Sequence, residues 1–338
     1  MTAPGSTLMD RGGPAQPLLT VRGLRKHFAL RGGGFGRDRA AVRAVDGVDF
    51  DVAKGETLAI VGESGCGKST TARLIARLIE PDGGELLFDG EGVGQFGGLA
   101  LKDYRRRLQM VFQDSQASLN PRLTVLDAVA YGPQVHGLAR EAARERTRAL
   151  LARVGLPPEV FAQRYPHELS GGQRQRVNIA RALAFEPRLL ILDEAVAALD
   201  KSVQAQVLNL LQELKAEQGL TYLFISHDLQ VVHYIADRVL VMYLGQVVET
   251  GPVDALYAAP RHPYTRALLA AVPSMDPAHR TERPPLAGDP PDPVNPPAGC
   301  RFRDRCPLAF SRCAAEAPLL RIAAPAHAVA CHLDAGPP

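Results

Sequence analysis

The sequence lacks any apolar run long enough to cross a membrane. Its apolar runs, such as Leu189–Leu192 and Val239–Tyr243, fall far below the roughly 20 residues that a spanning helix needs. The chain is therefore expected not to span a bilayer. The segment before Leu18 has no apolar core, which excludes a secretory signal and reads as a flexible tail, 1–17. Strong charge of one sign is also missing: 39 Lys and Arg stand against 36 Asp and Glu, a net +3. So mild a balance excludes nucleic-acid binding through bulk charge, and no nucleic-acid partner is expected. No internal repeat is present, which excludes solenoid and propeller folds. Hydrophobic residues make up 46% of the chain, so overall disorder is excluded as well.

Proline and cysteine are thin until about residue 251. Of 27 prolines, 17 lie in 251–338, and four of the five cysteines lie in 300–331. A chain of 338 residues has room for about two domains, and this shift in composition marks their boundary. From 18 to 251 the pattern is α/β. The apolar runs Thr57–Val61, Leu189–Leu192, Thr221–Ile225 and Val239–Tyr243 are continuous rather than alternating, which suits strands covered on both faces in a parallel sheet. Over about 115–185 helical segments dominate, Arg140–Val154 the clearest, so a helical insert is expected there. Arg31–Ala40 is rich in Gly and Arg and reads as a mobile loop. In 252–338 one short helix is expected, His262–Val272, then a Pro-rich connector, Pro273–Pro297, then the cysteines.

Gly62-Glu63-Ser64-Gly65-Cys66-Gly67-Lys68-Ser69 fits G-x-x-x-x-G-K-[ST] in full. It follows the strand Thr57–Val61 and precedes an expected helix, Ser69–Ile79, which is the context this phosphate loop requires. Glycines let the backbone wrap phosphates closely, and loop N–H groups with the helix N-terminus supply positive charge. Lys68 is placed to reach the β- and γ-phosphates of ATP, Ser69 to ligate Mg²⁺, and Thr70 follows on the helix. Cys66 contributes backbone rather than thiol. A second strand, Leu189–Leu192, ends in Asp193-Glu194. The first acid suits Mg²⁺ and the second suits the attacking water, since phosphoryl transfer needs both a metal clamp and a group that orients the nucleophile. Leu169-Ser170-Gly171-Gly172-Gln173 precedes an expected helix, Arg174–Phe185, and forms another anion cradle.

Phosphate loop, LSGGQ and Asp193-Glu194, in this order, resemble the ATP-binding-cassette (ABC) ATPases over roughly residues 18–251. The resemblance implies a P-loop NTPase fold of ABC type: a mixed α/β sheet core with a helical subdomain, here followed by a small Cys- and Pro-rich extension. It implies that Gln113 is the Q-loop glutamine, Asp200 in Ala198-Leu199-Asp200 the D-loop acid, and His227 the switch histidine. Glu194, His227 and Gln113 are then the catalytic set. It further implies a head-to-tail dimer, with ATP between one phosphate loop and the partner's Ser170, Gly171, Gly172 and Gln173. The family usually stacks adenine on an aromatic near the first strand, for which Phe28 is the candidate, a core Phe being the alternative. Relatives commonly read D-E-P-V-S-A-L-D, where this chain has Ala195 and Ala197; with both acids and Asp200 retained, activity is expected.

Residues 113–121 (QDSQASLNP), 202–207 (SVQAQV) and 262–269 (HPYTRALL) resemble the dipeptide/oligopeptide and nickel importer branch, most closely its F-type ATP-binding subunit. That implies a heterodimer with a second ABC ATPase, two transmembrane permease subunits and an extracytoplasmic solute-binding protein. It also implies a peripheral place on the cytoplasmic face of the cell membrane. The expected function is ATP hydrolysis driving peptide uptake, with nickel or another small solute as the alternative cargo. A soluble cassette ATPase uncoupled from transport, or a redox sensor, would be the other readings.

The remaining cysteines run Cys300-x5-Cys306-x6-Cys313-x17-Cys331. Disulfides are not expected beside a cytosolic ATPase. Four thiolates can close a zinc site or hold an iron–sulfur cluster. The tight C-x2–4-C pair usual for zinc is absent and wider loops suit a [4Fe–4S] cube, leaving zinc and unligated buried thiols as alternatives. Peptide-importer ATPases with a similar tail carry such a cluster, which the resemblance implies here.

Overall fold

The computed structural model describes residues 13, 15–30, 40–94, 97–272, 288 and 291–335. The Gly- and Arg-rich stretch up to residue 39, most of the N-terminal tail and most of the Pro273–Pro297 connector lie outside the described residues.

Three short apolar segments form the centre. β3 (Thr57–Val61), β7 (Leu189–Asp193) and β8 (Thr221–Ile225) are buried at every position. They align in parallel with β6 (Leu108–Val111) and β9 (Arg238–Tyr243) in the order β9-β3-β8-β7-β6. Period-two alternation sends neighbouring residues into different cores. Leu58 and Ile60 face one hydrophobic cluster, Ala59 and Val61 the other. Burying each such aliphatic side chain contributes roughly 1.5–3 kcal/mol, so both faces of the sheet are needed.

On one face lies a second, antiparallel sheet, built from β1 (Leu19–Ala29), β2 (Ala41–Val52), β4 (Gly83–Phe88) and β5 (Glu91–Gly92). On the other face pack α6 (Gly171–Leu183) and α7 (Lys201–Gln218). Between β6 and β7 the described chain is helical: α3 (Val125–Val135), α4 (Arg140–Arg153), α5 (Pro158–Phe161) and α6.

Helix boundaries moved where local chemistry overrode periodicity. The helix after the phosphate loop, α1, covers Lys68–Ile75 rather than reaching Ile79, because Arg77 takes a left-handed conformation (φ 53°) that closes it. α6 begins three residues earlier than expected, because Ser170 caps it.

The C-terminal region is richer than the single expected helix. It holds α9 (Val253–Ala258), α10 (Pro263–Ala270), α11 (Ser311–Ala315), β11 (Arg321–Ala324) and β12 (His327–Val329). β10 (Gln246–Pro252) pairs antiparallel with β9 on one side and with β12 on the other. The extension therefore adds two strands to the core sheet. Strands of three and four residues leave no readable period; the ladder that β10 offers decides them.

Candidate functional site

The strands β3, β6, β7 and β8 end on the same side of the sheet, because they are parallel, and Lys68, Ser69, Gln113, Asp193, Glu194 and His227 lie at or beyond those ends. Gly62 directly follows β3. Its φ is 150°, and a Cβ there would run into the Met242 carbonyl. Gly67 has φ 108°, and its Cβ would strike the Ala44 carbonyl of β2. Ser64 and Gly65, between them, are exposed. The turn thus needs glycine at both ends for steric reasons.

Lys68 is buried inside the loop, and its ammonium donates to the Gly62 and Glu63 carbonyls at 2.7 and 2.9 Å. Cys66 is buried, its thiol pushed up by desolvation, and its carbonyl accepts from Gly245 N at 2.8 Å. Ser69 Oγ donates to Asp193 Oδ1 at 3.0 Å, which brings the two expected Mg²⁺ ligands together. Burial raises the Asp193 carboxyl above its ordinary value, against the pull of the Ser69 hydroxyl. A bound cation would reverse that shift. Thr70 is half-buried in the first turn of α1.

Glu194 sits one residue beyond β7 at φ 49°, an uncommon conformation for a non-glycine residue. Its amide donates to the Ile225 carbonyl at the end of β8 at 3.0 Å, which holds that conformation. Gln113, just past β6, donates from Nε2 to Glu194 Oε2 at 2.8 Å. His227, just past β8, places Nδ1 3.3 Å from Glu194 Oε1. Two side chains, from the ends of β6 and β8, therefore meet on the carboxylate that follows β7, next to the Ser69–Asp193 pair. The set can hold a divalent cation, bind phosphates and orient a water.

The LSGGQ residues stand apart from this centre, at the start of α6. Ser170 Oγ accepts from Gln173 N at 3.3 Å, and Gln173 Oε1 accepts from Ser170 N at 2.9 Å, a reciprocal cap. The two glycines have different roles. A Cβ at Gly172 would collide with Val203 of α7, whereas a Cβ at Gly171 would meet nothing closer than 3.8 Å. Asp200 precedes α7 and is exposed; Ala195 is buried and Ala197 exposed. Phe28 lies exposed in β1, opposite Val42 of β2, with the Lys26 ammonium 5.7 Å from its ring centre.

Cys300, Cys306, Cys313 and Cys331 line one small cavity, with His262 and His332 beside them. Burial and the neighbouring thiols push Cys300 up to about 11, and burial raises Cys306 and Cys331 too. Among the described residues, however, no three Cys, His, Asp or Glu side chains are arranged as a metal site. The expected ligand geometry is therefore not formed. A cysteine binds a metal as its thiolate, so a cation joining the four would have to displace their protons.

A profile of the ABC transporter family matches residues 45–197. A putative peptide import ATP-binding protein of Brucella ovis is 51% identical over 319 residues, covering 94% of this chain and 98% of that protein. The chain belongs to the ABC transporter ATP-binding proteins. This ABC ATPase is equally similar to the oligopeptide transport ATP-binding protein AppF of Bacillus subtilis, at 51% identity over 322 residues, 94% of one chain and 98% of the other. Its residues 248–313 match the C-terminal region of oligopeptide/dipeptide transporters. Among solved structures, cbiO1 of Clostridium perfringens, part of the ABC transporter complex cbiONQ, is 30% identical. It aligns with a TM-score of 0.62 over 72% of this chain and 91% of its own. A dimeric ATP-binding cassette in a post-hydrolysis state, bound to ADP and Pi, is 29% identical. Its TM-score is 0.58, over 70% of this chain and 98% of its own.

Among the described residues, no helix of the ABC ATPase is long and apolar enough to cross a membrane. Two residues from outside the phosphate loop contact it and were not among the expected site residues: Tyr264 and Arg305, 201 and 242 residues from Glu63. Glu63, which they hold, occupies a variable position of the motif.

Proposed function

We propose that this ABC ATPase powers peptide import, and that Lys68, Ser69, Gln113, Asp193, Glu194 and His227 form its own half of a nucleotide site. The meeting of Gln113, His227 and Glu194 beside Ser69–Asp193 carries the reading. Lys68 and the loop amides bind the phosphates. Ser69 and Asp193 hold Mg²⁺, which neutralises charge on the phosphate oxygens. Glu194 takes the proton of the attacking water, and His227 and Gln113 hold its carboxylate in place. Phe28 stacks on adenine. Ser170, Gly171, Gly172 and Gln173, with Asp200, serve the site of a second ATPase subunit. A γ-phosphate contacted from both sides favours the closed dimer over ADP.

The partners in this reading are a second ABC ATPase in a heterodimer, two transmembrane permeases and an extracytoplasmic peptide-binding protein. The ATPase sits on the cytoplasmic face. Similarity to AppF and the match over 248–313 support peptide cargo. We place a [4Fe–4S] cluster on Cys300, Cys306, Cys313 and Cys331, supported by the four thiols sharing one cavity. It would hold the extension together rather than take part in hydrolysis.

The test is co-expression with two candidate permeases and a second ABC ATPase from the same organism, followed by reconstitution into vesicles. Peptide-loaded binding protein is expected to stimulate ATP hydrolysis, and peptide to accumulate inside. Stimulation by nickel alone would move the cargo assignment. Iron and sulfide measured after anaerobic purification test the cluster; zinc without iron would remove it.

A further inference from the structure

The extension does more than flank the ATPase core: it reaches the phosphate loop. Arg305, between Cys300 and Cys306, forms a fork on the Glu63 carboxylate, with Nη1–Oε2 at 2.6 Å and Nη2–Oε1 at 3.0 Å. The Arg305 side chain is only 5% exposed, so this is a shielded pair. From α10, the Tyr264 hydroxyl accepts the Glu63 amide at 2.8 Å. The Glu63 carbonyl in turn accepts from Lys68 Nζ at 2.9 Å. One loop residue is thus held by its side chain, its N–H and its C=O, and the last of these bonds orients the phosphate-binding lysine.

The anchorage is built from packed rings and charge pairs. Phe302, buried, meets Tyr243 and Tyr264 with ring centres 5.3 and 5.4 Å apart. Tyr243 also lies 6.0 Å under the Arg305 guanidinium. Arg301 bonds to the Leu244 carbonyl and to Asp46. A planar, bidentate guanidinium on a shielded carboxylate fixes direction as well as charge.

We propose that Arg305 and Tyr264 are positioning residues for nucleotide: the C-terminal extension braces the phosphate loop through Glu63 and thereby sets the place of Lys68. This rests on the reading of residues 62–69 as the ATP site. It predicts that ATP affinity depends on residues about 200 positions away in sequence.

The full chain would be titrated with a fluorescent ATP analogue, with melting curves run on every variant. Arg305→Ala is expected to raise Kd about tenfold, within the usual range for coupled sites. Arg305→Lys, which keeps the charge and loses the fork, should raise it about threefold. Tyr264→Phe should also weaken binding, since it removes the acceptor of the Glu63 amide. In a Glu63→Ala background, Arg305→Ala should add no further loss. Unchanged Kd in folded Arg305→Ala, or a full additional loss in the Glu63→Ala background, would overturn the brace. If Arg305→Ala does not fold, Arg305→Lys and Tyr264→Phe decide, and unchanged Kd in both overturns it. Lys68→Ala is the reference: a wild-type chain that binds no better than Lys68→Ala would defeat the ATP reading and the brace together.

Discussion

The centre of the main sheet and its C-terminal edge are held by different forces. At the centre, β3, β7 and β8 are buried at every residue and shielded by a core on each face. At the edge, β11 leaves Ile322 84% exposed, and side-chain contacts add to the short β10–β12 ladder in securing the extension. Those contacts are Arg305 to Glu63, Arg301 to Asp46, and His327 to Glu249 at 2.7 Å. Phe302 is the chief apolar plug, joined to the main core. Continuous apolar strands specify an arrangement from within their own sequence. An extension held by ion pairs, one aromatic cluster and a short ladder to β10 is specified by its neighbours.

The sharpest contrast concerns chemistry. Glu194→Gln keeps shape and hydrogen bonding but removes the proton acceptor. Turnover should fall about a thousandfold, some 4 kcal/mol in barrier, while nucleotide binding persists. Steady-state hydrolysis beside nucleotide titration checks this; retained turnover would move the base elsewhere. Next comes the apolar plug. Phe302→Ala should cost about 3–4 kcal/mol. Hydrogen exchange should then quicken in 300–335 while β3 stays protected. Exchange rising equally in β3 would show that the two regions unfold as one unit.

A smaller effect separates the regions by pH. His262 is buried at the start of α10, its Nδ1 accepting from Tyr264 N at 3.0 Å, and burial lowers its ring to about 3 from 6.5. The unfolded chain therefore binds a proton below pH 6.5 that the folded chain refuses. Stability is full above that value and declines as pH falls towards 3. Between pH 7 and pH 5 the loss should be about 2 kcal/mol. His262→Asn, which can still cap the helix, should flatten this slope in urea titrations at the two pH values. The smallest effect is expected at the exposed pair Arg312–Glu316, 3.0 Å apart on one helical turn. Arg312→Ala should change stability by under about 0.5 kcal/mol. A larger loss there would mean that surface charge, not the aromatic plug, secures the extension.

Much of the candidate site was legible locally because a phosphate-loop motif is written in backbone requirements. Gly62 and Gly67 mark it through the space and φ they need, and Asp193-Glu194 through its place at the end of an apolar strand. Helix ends were less legible. Nothing in the periodicity shows that Arg77 turns left-handed, or that Ser170 and Gln173 close a reciprocal cap. Least legible were β11 and β12, whose few residues become strands only because β10 presents an unpaired edge.

By itself, the sequence determined the ATPase: an ordered series of motifs, each short enough to work through its own backbone and one neighbouring strand. Tertiary structure decided what those motifs share. Parallel strands bring Gln113, Glu194 and His227 to one point from separate stretches of chain. Folding of the extension places Arg305 and Tyr264 on Glu63 across more than 200 residues. Contacts between distant side chains leave no spacing in sequence, because only the packed core sets their distance.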